Sequence, residues 1–215
     1  MSDERILAVD TTFGACSAAV VQAGHVLGYN RVTIERGHAE ALAPMVEAMM
    51  REAQLDFAGI NRLAVTTGPG SFTGQRVGLA FMRGLRLALH KPLTGVTSLA
   101  AMAEQARHET GRVAAAAVQE ARRDEVYLEA VGRPLSVRLV GSAEAVALLR
   151  GIDGLALAGT AAARIAEALT GALVTAILAP DAVWVGRLAA AVVASPSVPR
   201  PLYLRPPDAK RPQRT

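Results

Sequence analysis

The stretch Thr66-Thr67-Gly68-Pro69-Gly70-Ser71-Phe72-Thr73-Gly74-Gln75-Arg76-Val77-Gly78 constrains this chain more than any other. The apolar run Leu63–Val65 enters it as a short buried strand. The segment that leaves it puts Val77, Ala80, Phe81, Gly84, Leu85 and Ala88 on one face of a helix. Between the two, glycines permit backbone conformations closed to other residues, and Pro69 fixes one φ angle. Ser71 or Thr73 is placed to cap the helix. The expected product is a tight strand-to-helix turn whose backbone N–H groups suit either an anion or a closely approaching backbone.

Neither common phosphate loop fits this turn. A P-loop needs two glycines five apart followed by Lys and Ser/Thr, but five residues after Gly68 stands Thr73, and after Gly70 stands Gln75. A dinucleotide fingerprint needs its third glycine one position earlier than Gly74 and an acidic residue about 20 positions on. No carboxylate occurs between Ala88 and Pro92.

With 215 residues, 51% of them hydrophobic and 20% charged, the chain is a globular protein of one large or two modest domains. Its longest apolar runs are shorter than a membrane span. The single cysteine, Cys16, cannot form an internal disulfide, and the start of the chain lacks the basic region of a secretion signal. The expectation is a cytoplasmic protein. Arg200, Arg205, Lys210, Arg211 and Arg214 against Asp208 give residues 200–215 the whole net charge of +4. That basic, proline-rich end reads as a solvated tail with the charge to touch RNA phosphates.

Taken in order, Ile6–Val9 reads as a strand ending on Asp10. A Thr/Gly turn follows, then strands over Cys16–Val21 and 26–34. Residues 38–53 form a helix with Ala39, Leu42, Ala43, Val46, Met49, Met50 and Ala53 on a broad stripe and Met45 beside it. A second helix covers 77–89, a strand Leu93–Val96, and a helix capped by Ser98 runs to His108 and stops at Gly111. Strands over Val113–Val118, Val126–Val131 and Val137–Val140 come next, with a polar hairpin turn at 120–124. Ser142 caps a helix to Arg150, Leu155–Ala158 is a strand, and helices over 161–169 and 181–194 precede a closing strand, Pro201–Arg205. The fold class is α/β, with two actin/Hsp70/sugar-kinase-like (ASKHA) domains at 1–105 and 106–205, the second reduced and irregular, and a tail at 206–215.

Several pieces together resemble the TsaB (YeaZ) family. They are Leu7-Ala8-Val9-Asp10-Thr11, Ala15-Cys16-Ser17, His38-Ala39-Glu40, Gly-Pro-Gly-Ser-Phe-Thr-Gly-x-Arg-x-Gly at 68–78, Ala121 to Tyr127, and Pro201-Leu202-Tyr203-Leu204-Arg205. The resemblance implies a non-catalytic subunit of the complex that transfers threonylcarbamoyl to N6 of adenosine 37 in tRNAs reading ANN codons. It implies binding to the catalytic subunit TsaD, a part in recruiting the ATPase TsaE, contact with tRNA through the complex, and a homodimer when alone. Metal and ATP then belong to the partner subunits, and this chain has no cofactor of its own. The implied partner interface is His38, Leu42, Met45, Val46, Met49, Met50, Val77, Phe81 and Leu85. Any nucleotide or anion near Gly68, Gly70, Ser71, Thr73, Gly74 and Arg76 would sit at a shared interface. On this reading, Val46→Asp abolishes partner binding while the chain still folds.

Three alternatives need features the chain does not offer in sequence. A small actin-like ATPase or kinase needs a second phosphate loop, of which Gly159-Thr160 is a faint echo. A metalloprotease needs a second histidine four residues after His38, where Leu42 stands. A dinucleotide enzyme needs the acidic ribose partner.

Overall fold

The computed structural model describes residues 3–195 and 197–204. Its first half runs β1 (Ile6–Asp10), β2 (Ala15–Gln22), β3 (His25–Thr33), α1 (His38–Glu52), β4 (Arg62–Gly68), α2 (Phe72–Leu89), β5 (Leu93–Thr97) and α3 (Ser98–Thr110). The second half is β6 (Ala114–Glu120), β7 (Glu125–Val131), β8 (Leu135–Gly141), α4 (Ser142–Leu149), β9 (Leu155–Ala158), α5 (Ala162–Ala166), β10 (Leu173–Val174) and α6 (Ala182–Ala190). The strands form two five-stranded sheets, ordered β3-β2-β1-β4-β5 and β10-β9-β6-β7-β8. Read from the β8 edge, the second sheet repeats the order of the first. In each half an antiparallel meander is extended by two parallel strands, which is the duplicated architecture the sequence led one to expect.

The layers follow from which residues each strand buries. Along β1, Leu7 and Val9 pack with Leu42, Val46, Met49, Leu79 and Met82 beneath α1 and α2. Ile6 and Ala8 point the opposite way, against Ala182, Val185 and Ala189 of α6. A strand covered on both faces must be apolar throughout, and β1 is buried at every position. In the second half α3 packs Leu99, Met102, Ala103 and Ala106 on Ala115, Ala117, Ala156 and Ala158. The other face of that sheet carries α4 and α5. The chain therefore crosses over twice: α3 lies on the second sheet, and α6 returns to the first. Alanines on both sides of these contacts let helix and sheet approach closely.

Several local expectations are corrected. Helix α2 begins at Phe72, five residues before the apolar periodicity starts, because the Ser71 side chain accepts from Gly74 N at 3.0 Å and caps it there. Thr97, not Ser98, caps α3, accepting from Ala100 N, while the buried Ser98 hydroxyl donates to the Pro69 carbonyl. Ser142 is the first residue of α4, and its hydroxyl turns back to the Asp124 carboxylate at 2.6 Å. Residues 201–204 form no strand. Pro199 and Pro201 lack N–H groups, so a ladder cannot be built, and one bond, Leu202 N to Thr67 O at 2.8 Å, ties the segment to the first sheet. Arg205 and the tail at 206–215 lie outside the described residues.

Candidate functional site

The glycine turn closes on the chain's own first turn. Gly70 and Gly74 lie so close to the loop after β1 that a Cβ on Gly70 would sit 2.4 Å from the Thr12 carbonyl, and one on Gly74 2.0 Å from the Thr11 carbonyl. Backbone atoms cannot swing aside as a side-chain tip can, so only glycine fits. The approach is stitched by hydrogen bonds. Ser71 N donates to Thr12 O at 2.8 Å, the Thr11 hydroxyl donates to Gly74 O at 2.7 Å, and Gly78 N donates to Thr11 Oγ1 at 3.1 Å. Gln75, 3% exposed, donates through Nε2 to Gly70 O. Of the two occupants the sequence allowed, an anion or a close backbone, the Thr11–Thr12 turn takes the second role. Thr11, Thr12 and Gln75 were not singled out from sequence. The partners of Thr11 and Thr12 lie in a remote segment, Gln75 bonds within its own turn, and a lone Thr or Gln carries no such signal.

Asp10 sits beneath this contact, fully buried. Its Oδ1 accepts from the Thr12 and Thr66 hydroxyls, each at 2.6 Å, and from Thr12 N at 3.2 Å, while Oδ2 has no partner. Burial pushes its pKa up from 3.8 to about 6, against the lowering effect of the Thr12 and Thr66 bonds and of Arg31. The sign follows from linkage. A raised carboxyl pKa favours the folded state while the proton is held, and that stabilisation is lost as pH rises from about 4 through about 6. Asp10→Asn, which removes the charge, is expected to raise stability at pH 8 by about 2–3 kcal/mol and to leave it nearly unchanged at pH 4. Urea melts at the two pH values check this.

The corresponding turn of the second half is also internally satisfied. Thr160 N donates to Gln119 Oε1 at 2.5 Å, Glu120 N donates to Thr160 Oγ1 at 2.9 Å, and Gly159 N donates to Ile177 O. The hairpin turn at 120–124 is held by Arg164, whose guanidinium lies 3.1 Å from Asp124 and 3.6 Å from Glu120. His38, the first residue of α1, is buried, and its Nε2 lies 3.0 Å from the Phe13 carbonyl. No group of three or more metal-ligating side chains occurs among the described residues. Cys16 is buried in β2, where desolvation pushes its thiol up to about 11, so it is a poor nucleophile.

The stripe on α1 divides. Leu42, Met45, Val46, Met49 and Met50 are core, each at most 9% exposed and packed on the first sheet. Their place is therefore corrected from interface to core, because side chains enclosed by their own sheet have almost no area left to offer a partner, and of the five only Leu42 also lines the groove described next. Val77, Phe81 and Leu85 are half-buried at the edge of that core. What faces outward is smaller: Ala39, Ala43, Ala80 and Gly84 are exposed. Between α1 and α2 lies an open groove of about 480 Å³, whose apolar lining is Ala39, Leu42, Val77, Ala80 and Phe81, with Phe72, Thr73 and Arg76 at the glycine-turn end. There the Arg76 guanidinium lies 3.6 Å over the Phe72 ring, and its Nε donates to Tyr203 Oη at 2.9 Å. Phe72 and Tyr203 stack with centroids 5.6 Å apart. Neither aromatic was picked out as a site residue from sequence.

Comparison with known proteins places this geometry. A protein-family model described as "TsaD: tRNA N6-adenosine threonylcarbamoyltransferase" matches residues 32–182. The tRNA threonylcarbamoyladenosine biosynthesis protein TsaB of Escherichia coli (strain K12) is 38% identical over 123 residues, 57% of this chain and 53% of that protein. The same-named protein of Haemophilus influenzae is 35% identical over 62% of this chain and 56% of its own length. These matches span about half the length of those relatives. An uncharacterized protein of Mycobacterium tuberculosis is 37% identical over 95% of this chain and 93% of its own. Among solved structures, YeaZ from Pseudomonas aeruginosa superposes with a TM-score of 0.80 at 29% identity, covering 94% of this chain and all of that one. The glycine turn, the duplicated sheets and these relatives agree, and the chain belongs to the TsaB/YeaZ family.

Proposed function

We propose that this chain acts in tRNA threonylcarbamoyladenosine biosynthesis as a non-catalytic cytoplasmic subunit. It docks a TsaD-type catalytic partner through the α1–α2 groove, helps recruit TsaE, and pairs with a second copy of itself when that partner is absent. The observation that carries the reading is the groove. It is open and apolar, and its walls are the alanines, Val77 and Phe81 of two long helices anchored rigidly to the first sheet. Small side chains let a partner helix approach closely, and the methionine core beneath gives the surface some adaptability.

A catalytic role of its own is the second reading, favoured by the match to the TsaD-type family model. Two features weigh against it. Both turns where an ATP-using relative would hold phosphate spend their donors on the chain itself: Ser71 N on Thr12 O and Thr160 N on Gln119 Oε1. Four residues after His38 stands the buried Leu42, where the resemblance would call for a second metal-binding histidine. On the proposed reading the metal and the nucleotide belong to the partner subunits, and no helix among the described residues is long and apolar enough to cross a membrane.

Reconstitution tests the proposal. With TsaD and TsaE from the same cell, threonylcarbamoyladenylate and unmodified tRNA, multiple-turnover modification is expected only when this chain is added, and this chain alone is expected to modify nothing. Modification by the isolated chain would overturn the non-catalytic assignment. Full activity of TsaD and TsaE without it would overturn the subunit assignment.

A further inference from the structure

The charge of this chain is segregated along one flank of α2. Between Asp56 and Glu104 there is no acidic residue, while Arg62, Arg76, Arg83, Arg86 and Lys91 fall in that interval. The next longest acid-free stretch, from Ala182 to Pro207, holds Arg187, Arg200 and Arg205. The fold lays these two stretches side by side. Arg76, Arg83, Arg86 and His90 recur within one stripe of the helix, about 21 Å from first to last at 1.5 Å per residue. Segment 197–204 runs beside that stripe: Arg83 donates to the Pro199 carbonyl, and Arg76 donates to Tyr203. Two shallow concavities follow the seam. One of about 290 Å³ is lined by Arg86, His90, Lys91 and Ser195, and one of about 800 Å³ by Arg83, Ser197 and Arg200.

Two further observations give the strip a direction. Arg31, Arg62, Arg107 and Arg164 each have a carboxylate partner, but Arg76, Arg83, Arg86, Lys91 and Arg200 have none among the described residues. Among the described residues, no carboxylate offsets their charge. At one end stand Phe72 and Tyr203, stacked and 52% and 45% exposed, in a chain with only four Phe and three Tyr. Uncompensated cations in a row attract any polyanion, but exposed stacked rings at the end of the row suit one that carries flat bases. Beyond Leu204 the sequence adds Arg205, Lys210, Arg211 and Arg214 against Asp208, so the positive charge continues from the same end.

We infer that this flank is an RNA-binding strip, in which Arg86, Lys91 and Arg200 hold successive phosphates and the Phe72–Tyr203 pair stacks an unpaired base. The inference deepens the proposed role in tRNA modification and rests on it for the choice of RNA among polyanions. The strip adjoins the partner groove at Arg76 and Phe72, so an RNA loop held there would lie beside a docked catalytic subunit.

The test uses the full chain and fluorescence anisotropy with two RNA probes, a short stem-loop with an unpaired loop and a blunt duplex of equal phosphate count, between about 50 and 200 mM salt. The stem-loop is expected to bind more tightly than the duplex. Arg86→Glu with Arg200→Glu is expected to weaken both probes about tenfold or more and to lower the salt slope by about two. Tyr203→Ala is expected to weaken the stem-loop about tenfold and leave the duplex unchanged, and Tyr203→Phe to keep the affinity. Unchanged binding in the charge variant, or equal loss on both probes in Tyr203→Ala, overturns the inference. Binding of TsaD is measured on the same charge variant. Loss of TsaD with RNA binding intact makes the strip a protein contact and overturns the inference while leaving the proposed function in place. A wild-type chain that binds RNA through the strip but never joins TsaD removes the proposed function and leaves the strip.

Discussion

Val46→Asp is expected to destabilise the fold severely, whichever partner is present. Val46 is 1% exposed and packed among Leu7, Val9, Leu42 and Met50 beneath α1. The charges nearest in sequence, Glu47 and Arg51, lie on exposed parts of the helix. An unpaired carboxylate placed there either stays ionised without a partner or takes up a proton, and the expected cost is about 3–5 kcal/mol. That is a large share of the roughly 5–15 kcal/mol that holds a domain of this kind together. The readout is urea unfolding followed by far-UV circular dichroism: the cooperative transition should move to a clearly lower midpoint, by an amount that corresponds to about 3–5 kcal/mol at unchanged slope. A variant that unfolds like the parent but no longer binds TsaD would restore the interface role to the whole stripe.

Gly74→Ala should be nearly as damaging, for a different reason. The added Cβ would lie 2.0 Å from the Thr11 carbonyl oxygen and 2.5 Å from Ser71 Oγ, the atom that caps α2. Relief requires the β1–β2 turn to lift off the helix, which breaks the Ser71–Thr12 and Thr11–Gly74 bonds together. The expected loss is about 3 kcal/mol or more. Gly84→Ala is the control. A Cβ at Gly84 meets nothing within 4 Å, so the same substitution in the same helix should stabilise by about 0.5–1 kcal/mol. If both variants melt alike, the glycine turn is not a packing device.

These two cases show where sequence reasoning reached and where it stopped. The strand-to-helix turn was legible because glycine, proline and an N-cap are local signals. The alternation of strands and helices was legible because periodicities of two and 3.6 are local too. Helix α1 was harder. It is apolar on two sides: Leu42, Val46 and Met49 face the sheet, and Ala39 and Ala43 face outward. A periodic pattern marks such a helix as amphipathic or buried but does not say which apolar side the sheet takes. The Thr11–Gly74, Arg76–Tyr203 and Arg83–Pro199 contacts join segments far apart in the chain, so nothing local announces them. β10, at two residues, is too short for any alternation to register. The closing strand, expected from the family resemblance, does not form over residues 201–204, where Pro199 and Pro201 lack the N–H groups that a ladder needs.

The most direct test of the account is light scattering after gel filtration, on this chain alone and mixed with TsaD from the same cell, for the parent and for Ala80→Glu. Ala80 is exposed on the groove wall and outside the core, so the variant should unfold like the parent. A charge buried unpaired at an interface costs about 2–5 kcal/mol, enough to weaken association by a factor of roughly 30 or more. The account predicts that the parent exchanges self-association for a complex with TsaD, and that Ala80→Glu stays folded and does neither. A parent that ignores TsaD, or an Ala80→Glu variant that binds it as tightly as the parent does, would contradict the assignment of the α1–α2 groove as the docking surface.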